Sequence, residues 1–221
     1  MASDSLLWIP SSELTARLQA QIPHMRINTL FMDIGGVITE PNPEFWNCLR
    51  QRWGAPNNVE ELFYGQDSPW VACRVGQITY REHTAQMAAQ LGMTSEQLMR
   101  VRHDGEWRLN RPMVSWIHKH RDKNLKVIAV SNADDQLEDR LTEFGVIDLF
   151  DYVINSARVG LAKPDPRIYR LALTKADTSP EQCLFVDDKA RNIEPAAALG
   201  MKTWVYSGFD TFTEAVRGLM D

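Results

Sequence analysis

The order of hydrophobic and polar positions predicts a buried strand near the start of the chain and further strands in its second half. Residues 29–32 form an apolar run that ends in a single carboxylate, Asp33, followed by two glycines. This pattern is typical of a buried strand that presents a polar side chain at its carboxyl end. Further apolar runs predict strands over residues 126–130, 152–154, 183–186 and 202–206.

The segments between the later strands have helical spacing. They predict helices over residues 113–123, 135–144, 167–176 and 192–199. Strands that alternate with helices imply βαβ units and a parallel sheet. We therefore expect an α/β fold with a Rossmann-like parallel sheet, built from residues 28–39 and 110–221.

In residues 40–109 the hydrophobic positions have helical spacing, and no strong strand is predicted. Helices are predicted over residues 44–53, 59–64, 79–91 and 95–109, with Thr94 as an N-cap and Gly92 as a helix stop. We expect a small inserted helical domain. Residues 1–27 are expected to form an N-terminal extension, in which Ser11, Ser12, Leu18 and Ile22 predict a short capped amphipathic helix.

Charge and composition exclude some classes of partner. A net charge of −5 argues against nucleic acid, because phosphate backbones require a concentrated basic surface. No apolar run approaches the roughly 20 residues that span a bilayer. The first residues lack the basic and apolar regions of a secretory signal, so we expect a cytoplasmic protein. Cys48, Cys73 and Cys183 are expected to be free thiols.

Polar side chains follow three of the predicted strands. Asp33 ends the first, Ser131 and Asn132 follow the second, and Asp187 and Asp188 follow a later one. Because parallel strands end at the same edge of a sheet, these side chains are expected to converge. Between them, the stretch 160–165 places one lysine, Lys163, just before a helix that starts with proline.

Together these stretches resemble the haloacid dehalogenase superfamily, whose members are mostly phosphatases and other phosphoryl-transfer enzymes. The resemblance covers roughly residues 28–39 and 110–210. It aligns Asp33 with the nucleophile, Ser131 with the second motif and Lys163 with the third. Asp187 and Asp188, with Asn192, look like the acidic fourth motif. The insert at residues 40–109 falls where the family carries a helical cap.

The resemblance implies a Mg²⁺-dependent hydrolase that acts on a small phosphorylated metabolite. Asp33 would attack phosphorus and form an aspartyl-phosphate. Mg²⁺ would be bound by Asp33, the backbone carbonyl of Gly35, Asp187 and Asp188. The Ser131 hydroxyl and the backbone N–H of Asn132 would donate to the phosphoryl oxygens, and Lys163 would bind there to offset the negative charge of the nucleophile and the phosphate. We expect no nucleic-acid or membrane partner, and a monomer or homodimer.

One position departs from the family pattern. The family's phosphatases normally carry a second Asp two residues after the nucleophile, as general acid and base, and this chain has Gly35 there. The backbone carbonyl remains, but the proton donor is lost, and such help is worth about 10²–10⁴-fold. His103, Asp104 and Glu106 are alternative donors, and a substrate with a good leaving group would need none.

Three functions therefore stay open. The first is the phosphatase described above. The second is a dehalogenase, which needs no acid for a halide leaving group but for which the acidic pair at Asp187 and Asp188 is unexpected. The third is a binding module that keeps the fold without turnover. Trp46, Trp70, Arg74 and Trp107 are candidates to line the substrate pocket, with packing inside the insert as the alternative role of the tryptophans.

Overall fold

A five-stranded parallel sheet forms the centre of the computed structural model, which describes residues 27–121 and 125–217. The described strands are β1 (Thr29–Met32), β2 (Thr39–Pro41), β3 (Trp107–Leu109), β4 (Lys126–Ser131), β5 (Tyr152–Asn155), β6 (Cys183–Asp187) and β7 (Lys202–Val205). The sheet has the order β5-β4-β1-β6-β7, so β1 lies at its centre. This confirms the expected α/β fold with a Rossmann-like sheet.

Helices occupy most of the connections between strands. They are α1 (Pro43–Trp53), α2 (Val59–Tyr64), α3 (Trp70–Cys73), α4 (Tyr80–Gln90), α5 (Ser95–Gly105), α6 (Arg111–Arg121), α7 (Leu137–Glu143), α8 (Ser156–Val159), α9 (Pro166–Ala176), α10 (Ala190–Ala198) and α11 (Phe209–Val216). The helix expected around Ser11 and Leu18 lies outside the described residues. Within residues 27–121 and 125–217, no helix has the length and apolar content that crossing a membrane requires.

The two faces of the sheet carry separate hydrophobic clusters, because side chains alternate along each strand. Leu30 and Met32 of β1 pack on one face with α6, α7 and α11. Phe31 points to the other face, where it packs with α9 and α10. All three side chains are fully buried. The uninterrupted apolar run of β1 therefore reflects a strand covered on both faces.

The helices between Pro43 and Gly105, here called the helical segment, pack around a cluster of their own. Phe45, Phe63, Met87 and Leu98 come from four different helices and form its centre. Thr94 forms the expected N-cap of α5, where its side chain and that of Gln97 exchange bonds with each other's backbone amides. This cluster is separate from the two clusters on the faces of the sheet.

The two ends of the helical segment are joined by a short antiparallel pair of strands. Thr39 of β2 pairs with Leu109 of β3, and Glu40 pairs with Arg108. The predicted helix over residues 95–109 is therefore wrong beyond Gly105. Residues 107–109 are extended because their backbone groups pair with β2, a partner about 70 positions away that local spacing does not reveal.

The other helix boundaries within the described residues differ from the predictions by at most two residues, and three helices, α3, α8 and α11, were not expected. The helix predicted to begin at Met113 begins at Arg111, with Pro112 in the first turn, where its missing N–H removes no helical bond. α8 is a single turn capped by Asn155. α11 buries Phe212 and Val216 against the sheet.

Candidate active site

Asp33 lies directly after the central strand, at the edge where the parallel strands end. Its backbone N–H donates to the Val186 carbonyl at 2.9 Å, which continues the ladder between β1 and β6. The side chain is buried, and its Oδ1 accepts from the Ile34 N–H at 2.7 Å and lies 3.0 Å from Lys163 Nζ. Both contacts use Oδ1, so Oδ2 is the oxygen available to a ligand.

Asp187 ends the neighbouring strand and is fully buried. Its Oδ1 accepts from the Lys189 N–H at 2.9 Å and from Asn192 Nδ2 at 2.9 Å. Its Oδ2 accepts from Lys163 Nζ at 2.6 Å and from Asn192 Nδ2 at 3.0 Å. With two donors on each oxygen, this carboxylate holds Lys163 and the start of α10 in place.

The ammonium group of Lys163 bridges the carboxylates of Asp33 and Asp187. A lysine in this context, taken alone, is typical of a protein surface, yet here the side chain is fully buried. Burial disfavours its charge, but Asp33 and Asp187 outweigh that effect and raise its pKa above the usual value. The side chain of Asn132 positions the backbone of Lys163. It donates to the Lys163 carbonyl at 2.8 Å and accepts from the Lys163 N–H at 2.7 Å.

The carboxylates of Asp33, Asp187 and Asp188 form an acidic cluster, with one oxygen of each within 4.8 Å of the others. Burial raises the pKa of Asp33 to about 7, while Lys163 acts in the opposite direction. Burial also raises the pKa of Asp188. Crowded, desolvated carboxylates are stabilised in the charged form by a nearby cation.

This cluster fits a hard divalent cation such as Mg²⁺. Asp188 Oδ1 is buried and has no hydrogen-bond partner among the described residues, so it presents a free ligand atom. A Cβ at Gly36 would lie 2.6 Å from the Asp188 carboxyl carbon, which means that only glycine leaves room for this carboxylate. Oxygen ligands of this kind suit Mg²⁺, which usually keeps water molecules as further ligands.

A cavity of about 510 Å³ opens in front of Asp33. Gly35, Ser131, Asn132 and Asp188 belong to its wall, whereas Lys163 and Asp187 lie behind it. The remaining wall includes each of the four residues that were suggested for the substrate pocket, namely Trp46, Trp70, Arg74 and Trp107. The cavity therefore lies between the acidic cluster and the helical segment.

Gly35, at the position where the family carries a second Asp, faces an aromatic ring. A Cβ at Gly35 would lie 3.8 Å from the Trp107 indole, an ordinary contact distance. The three alternative proton donors are not part of the described cavity wall. His103 and Asp104 are exposed and contact each other at 3.1 Å. Glu106 is buried in a separate network of hydrogen bonds and an ion pair.

That network lies inside the helical segment. Arg102 contacts Glu106 at 2.9 Å, and both side chains are almost completely buried. Arg102 also donates to Thr84 Oγ1 at 2.7 Å and to Tyr64, whose hydroxyl donates to Glu106. Because Glu106 is held by these partners, it has a structural role in this fold rather than the role of a proton donor.

Sequence reasoning did not identify several polar residues of the cavity wall. Asp134 and Arg140 line it and form an ion pair at 2.9 Å. Lys189 and Arg191 line it from the loop and first turn at α10. The sequence signal for the last two is their position between Asp188 and Asn192, inside the acidic motif.

The chain matches the sequence family described as haloacid dehalogenase-like hydrolase over residues 27–200. Haloacid dehalogenase-like hydrolase domain-containing protein 3 of Mus musculus is 40% identical over 98 residues, which are 44% of this chain and 39% of that protein. Bifunctional epoxide hydrolase 2 of Sus scrofa is 27% identical over 208 residues, 85% of this chain and 38% of that protein. The chain thus spans about two fifths of these two relatives.

Sesquiterpene phosphatase astK of Aspergillus oryzae is covered more completely, with 30% identity over 175 residues, 76% of this chain and 84% of that protein. Among solved structures, a haloacid dehalogenase family enzyme of Bacteroides thetaiotaomicron in complex with magnesium and inorganic phosphate has a TM-score of 0.70 at 22% identity, covering 82% of this chain and 94% of that one.

The L-2-haloacid dehalogenase of Xanthobacter autotrophicus has a TM-score of 0.62 at 18% identity, covering 88% of this chain and 84% of that one. At these identities the two structures show a shared fold. The family match extends over well more than half of the chain and includes the strand ends that carry Asp33, Ser131 and Asp187. The protein therefore belongs to the haloacid dehalogenase-like hydrolases.

Proposed function

We propose that the protein is a Mg²⁺-dependent phosphatase that acts on a small phosphorylated metabolite through an aspartyl-phosphate at Asp33. The observation that carries this proposal is the acidic cluster of Asp33, Asp187 and Asp188 with Lys163 buried against it. Phosphoryl transfer depends on positioning and on neutralisation of charge, and this arrangement supplies both. The names of the sesquiterpene phosphatase relative and of the magnesium and phosphate complex support it.

In this proposal Asp33 Oδ2 attacks phosphorus while Oδ1 stays fixed by the Ile34 N–H and Lys163. The bond from phosphorus to the ester oxygen breaks, and that oxygen leaves with the electron pair and takes a proton from water, since Gly35 offers none. Water then attacks phosphorus, which releases phosphate and restores the Asp33 carboxylate.

Other residues of the site bind and position the phosphoryl group. The Ser131 hydroxyl and the Asn132 N–H donate to its oxygens, and the Asn132 side chain keeps Lys163 in place. The carboxylates of Asp33 and Asp188 and the carbonyl of Gly35 would hold Mg²⁺ next to Asp187, and the ion would offset the negative charge of the transferring group. The helical segment acts as a cap that covers the cavity.

The test is phosphate release from a panel of phosphomonoesters, with Mg²⁺ and with chelator, compared with an Asp33→Asn variant. We expect release that requires the metal and disappears in the variant. Release in the absence of metal, or from Asp33→Asn, would contradict the proposal. No release from any ester, aryl phosphates included, would favour a binding module without turnover.

A dehalogenase is the second candidate, since a halide leaves without a proton and Gly35 supplies none. The acidic cluster and the free Oδ1 of Asp188 favour phosphorus, because displacement at carbon needs no metal site. Halide release from 2-haloacids, measured with the same two proteins, distinguishes the candidates.

A further inference from the structure

Two arginines of the cavity wall come from different parts of the fold. Arg74 directly follows α3 in the helical segment, and Arg191 is the second residue of α10, beside the sheet. Both line the cavity that opens in front of Asp33. A ligand that contacts both side chains would therefore lie in the same space as the phosphoryl group.

Neither side chain has an anionic partner in the described part of the chain. Arg140, a third arginine of the same wall, shows the contrast, because it is paired with Asp134 at 2.9 Å. The Nε of Arg74 is buried and has no hydrogen-bond partner among the described residues. Burial, followed by the positive charge of Arg191, lowers the pKa of Arg74. A desolvated guanidinium beside another cation is unfavourable until an anion joins them.

The surroundings of Arg191 lead to the same conclusion. It lies in the first turn of α10, where the helix dipole disfavours positive charge, and that turn has no acidic residue. The neighbouring charge of Lys189 acts on Asp33 and Asp188. Glu60 and Glu61 also belong to the cavity wall, and Glu60 is already paired with Arg50. Arg191 is exposed, and no ion pair or side-chain hydrogen bond holds it among the described residues, so its guanidinium is available to an anion in the cavity.

We propose that Arg74 and Arg191 bind a second oxyanion of the substrate. The preferred substrates are then phosphomonoesters or diphosphates that carry a carboxylate or a further phosphate besides the phosphoryl group attacked by Asp33. This inference rests on the proposed function, because it assigns the rest of the same substrate. The planar guanidinium suits carboxylate and phosphate oxygens, which accept two parallel hydrogen bonds from it.

The first experiment compares esters that differ by one charge. Phenyl phosphates with an ortho, meta or para carboxylate are paired with their carbamoyl counterparts, which match them in size, and phenyl diphosphate is paired with phenyl phosphate. We expect kcat/KM to be at least about 10-fold higher for the charged member of one or more pairs. The pair that shows the preference identifies the oxyanion as carboxylate or phosphate. Equal values in every pair overturn the proposal.

The second comparison assigns the preference to the two arginines. In Arg74→Gln and in Arg191→Gln the ratio within the favoured pair should fall below about threefold, since one of two charge-assisted contacts is lost. Neither arginine makes a side-chain bond within the described fold, so both variants are expected to fold. Arg170→Gln, which removes an exposed arginine on α9 outside the cavity wall, should keep the ratio. A ratio unchanged in both test variants overturns the proposal.

Binding separates this proposal from the proposed function. Carboxybenzylphosphonates and carbamoylbenzylphosphonates carry a phosphorus–carbon bond, so their binding requires no turnover. Calorimetry with Mg²⁺ should show tighter binding of a charged member by at least about 10-fold in the wild-type protein and a smaller difference in Arg191→Gln. If no ester is hydrolysed, the proposed function fails while this difference still tests the oxyanion site, and its absence overturns that site.

Discussion

The side chain of Asn132 is bonded to the backbone of Lys163 through both of its polar atoms, at 2.8 Å and 2.7 Å. This pair connects the loop after β4 to the loop before α9. Lys163 in turn contacts Asp33 and Asp187, so the position of its ammonium group depends on an asparagine that also lines the cavity. The amide oxygen and one amide N–H of Asn132 are thus committed to Lys163, and the backbone N–H is the donor that we assign to the phosphoryl group.

Replacing Asn132 with Ala should lower both stability and turnover. Loss of the two hydrogen bonds is expected to reduce the free energy of unfolding by about 1–3 kcal/mol. With Lys163 less well positioned, kcat for phosphate release should fall at least about 10-fold, with a smaller change in KM. Denaturant unfolding and steady-state kinetics measure the two effects.

Asn155→Ala is the matched control for this variant. Asn155 also lies at the end of a strand, where it is buried while Asn132 is half-buried. Its side chain donates to the Asp134 carbonyl and the Glu138 carboxylate and accepts from the Ala157 N–H, but it does not contact Lys163. It should lose a similar amount of stability and keep its kcat per folded molecule. An equal loss of kcat in both variants would show that general destabilisation, rather than the position of Lys163, is responsible.

Gly36→Ala should damage the metal site. Gly36 has φ +84°, and an added Cβ would lie 2.6 Å from the Asp188 carboxyl carbon, so the carboxylate must move. The left-handed backbone conformation adds about 1–2 kcal/mol of strain. We expect Mg²⁺ affinity, measured by calorimetry, to fall at least about 10-fold because an oxygen ligand is displaced.

Gly92→Ala is the control that introduces backbone strain without displacing Asp188. Gly92 has φ +65°, and nothing lies within 4 Å of the Cβ it would gain. The variant should lose a similar free energy of unfolding and bind Mg²⁺ as the wild type does. Normal Mg²⁺ affinity in Gly36→Ala would exclude Asp188 from the site.

The parts of the fold that could be predicted are those determined locally. The apolar run of β1 and the polar residue after it were enough to locate Asp33 at the edge of the sheet. The burial of Lys163 could not be predicted, because its partners Asp33 and Asp187 come from distant strands. The strand pair at residues 39–41 and 107–109 depends on a similar long-range contact.

Glu106 illustrates a different limit. Arg102 and Glu106 are four residues apart, which is the spacing of an ordinary ion pair on the exposed face of a helix. The neighbouring sequence contains no sign that this pair is buried. They are buried because Tyr64 and Thr84, from other helices, supply the remaining hydrogen bonds. A carboxylate that seemed available for catalysis on the basis of sequence is therefore committed to the core of the helical segment.

His83 should make stability depend on pH. It is fully buried, with Nε2 3.1 Å from the Phe63 carbonyl and Nδ1 3.3 Å from an Arg102 nitrogen. Burial, followed by the charge of Arg102, lowers its pKa from 6.5 to about 4. The folded protein therefore keeps His83 neutral between these values while the unfolded chain binds a proton. The contribution of neutral His83 to the free energy of unfolding is fully present above pH 6.5. It is lost as the pH falls toward 4, which lowers the free energy of unfolding by at most about 3 kcal/mol.

Denaturant unfolding between pH 7 and pH 4 tests this expectation. The His83→Gln variant should be less stable at pH 7, because packing and the contact with Arg102 are lost, but its stability should fall less steeply with decreasing pH. His118→Gln, at an exposed position on α6, should keep the wild-type slope. If His83→Gln and the wild type lose stability in parallel, His83 is not the group responsible.

Gly35→Asp tests whether the site lacks a general acid. Gly35 does not have a positive φ, and an added Cβ would contact the Trp107 ring at 3.8 Å, so the backbone and the surrounding atoms accept a Cβ at this position. The adjacent indole should raise the pKa of the new carboxyl by desolvation, which suits a proton donor near neutral pH. We expect kcat for alkyl phosphates, which have poor leaving groups, to rise at least about 10-fold, and kcat for aryl phosphates to change little.

Gly35→Asn has nearly the same shape and no acidic proton, so it should show no such gain. A gain in both variants would mean that the new side chain improves binding rather than proton transfer. An unchanged dependence on the leaving group in Gly35→Asp would instead mean that a proton donor already reaches the ester oxygen, either from another part of the cavity or from the substrate. The dependence of kcat on the leaving-group pKa, measured for the three proteins, thus determines whether the loss of the second Asp limits this enzyme.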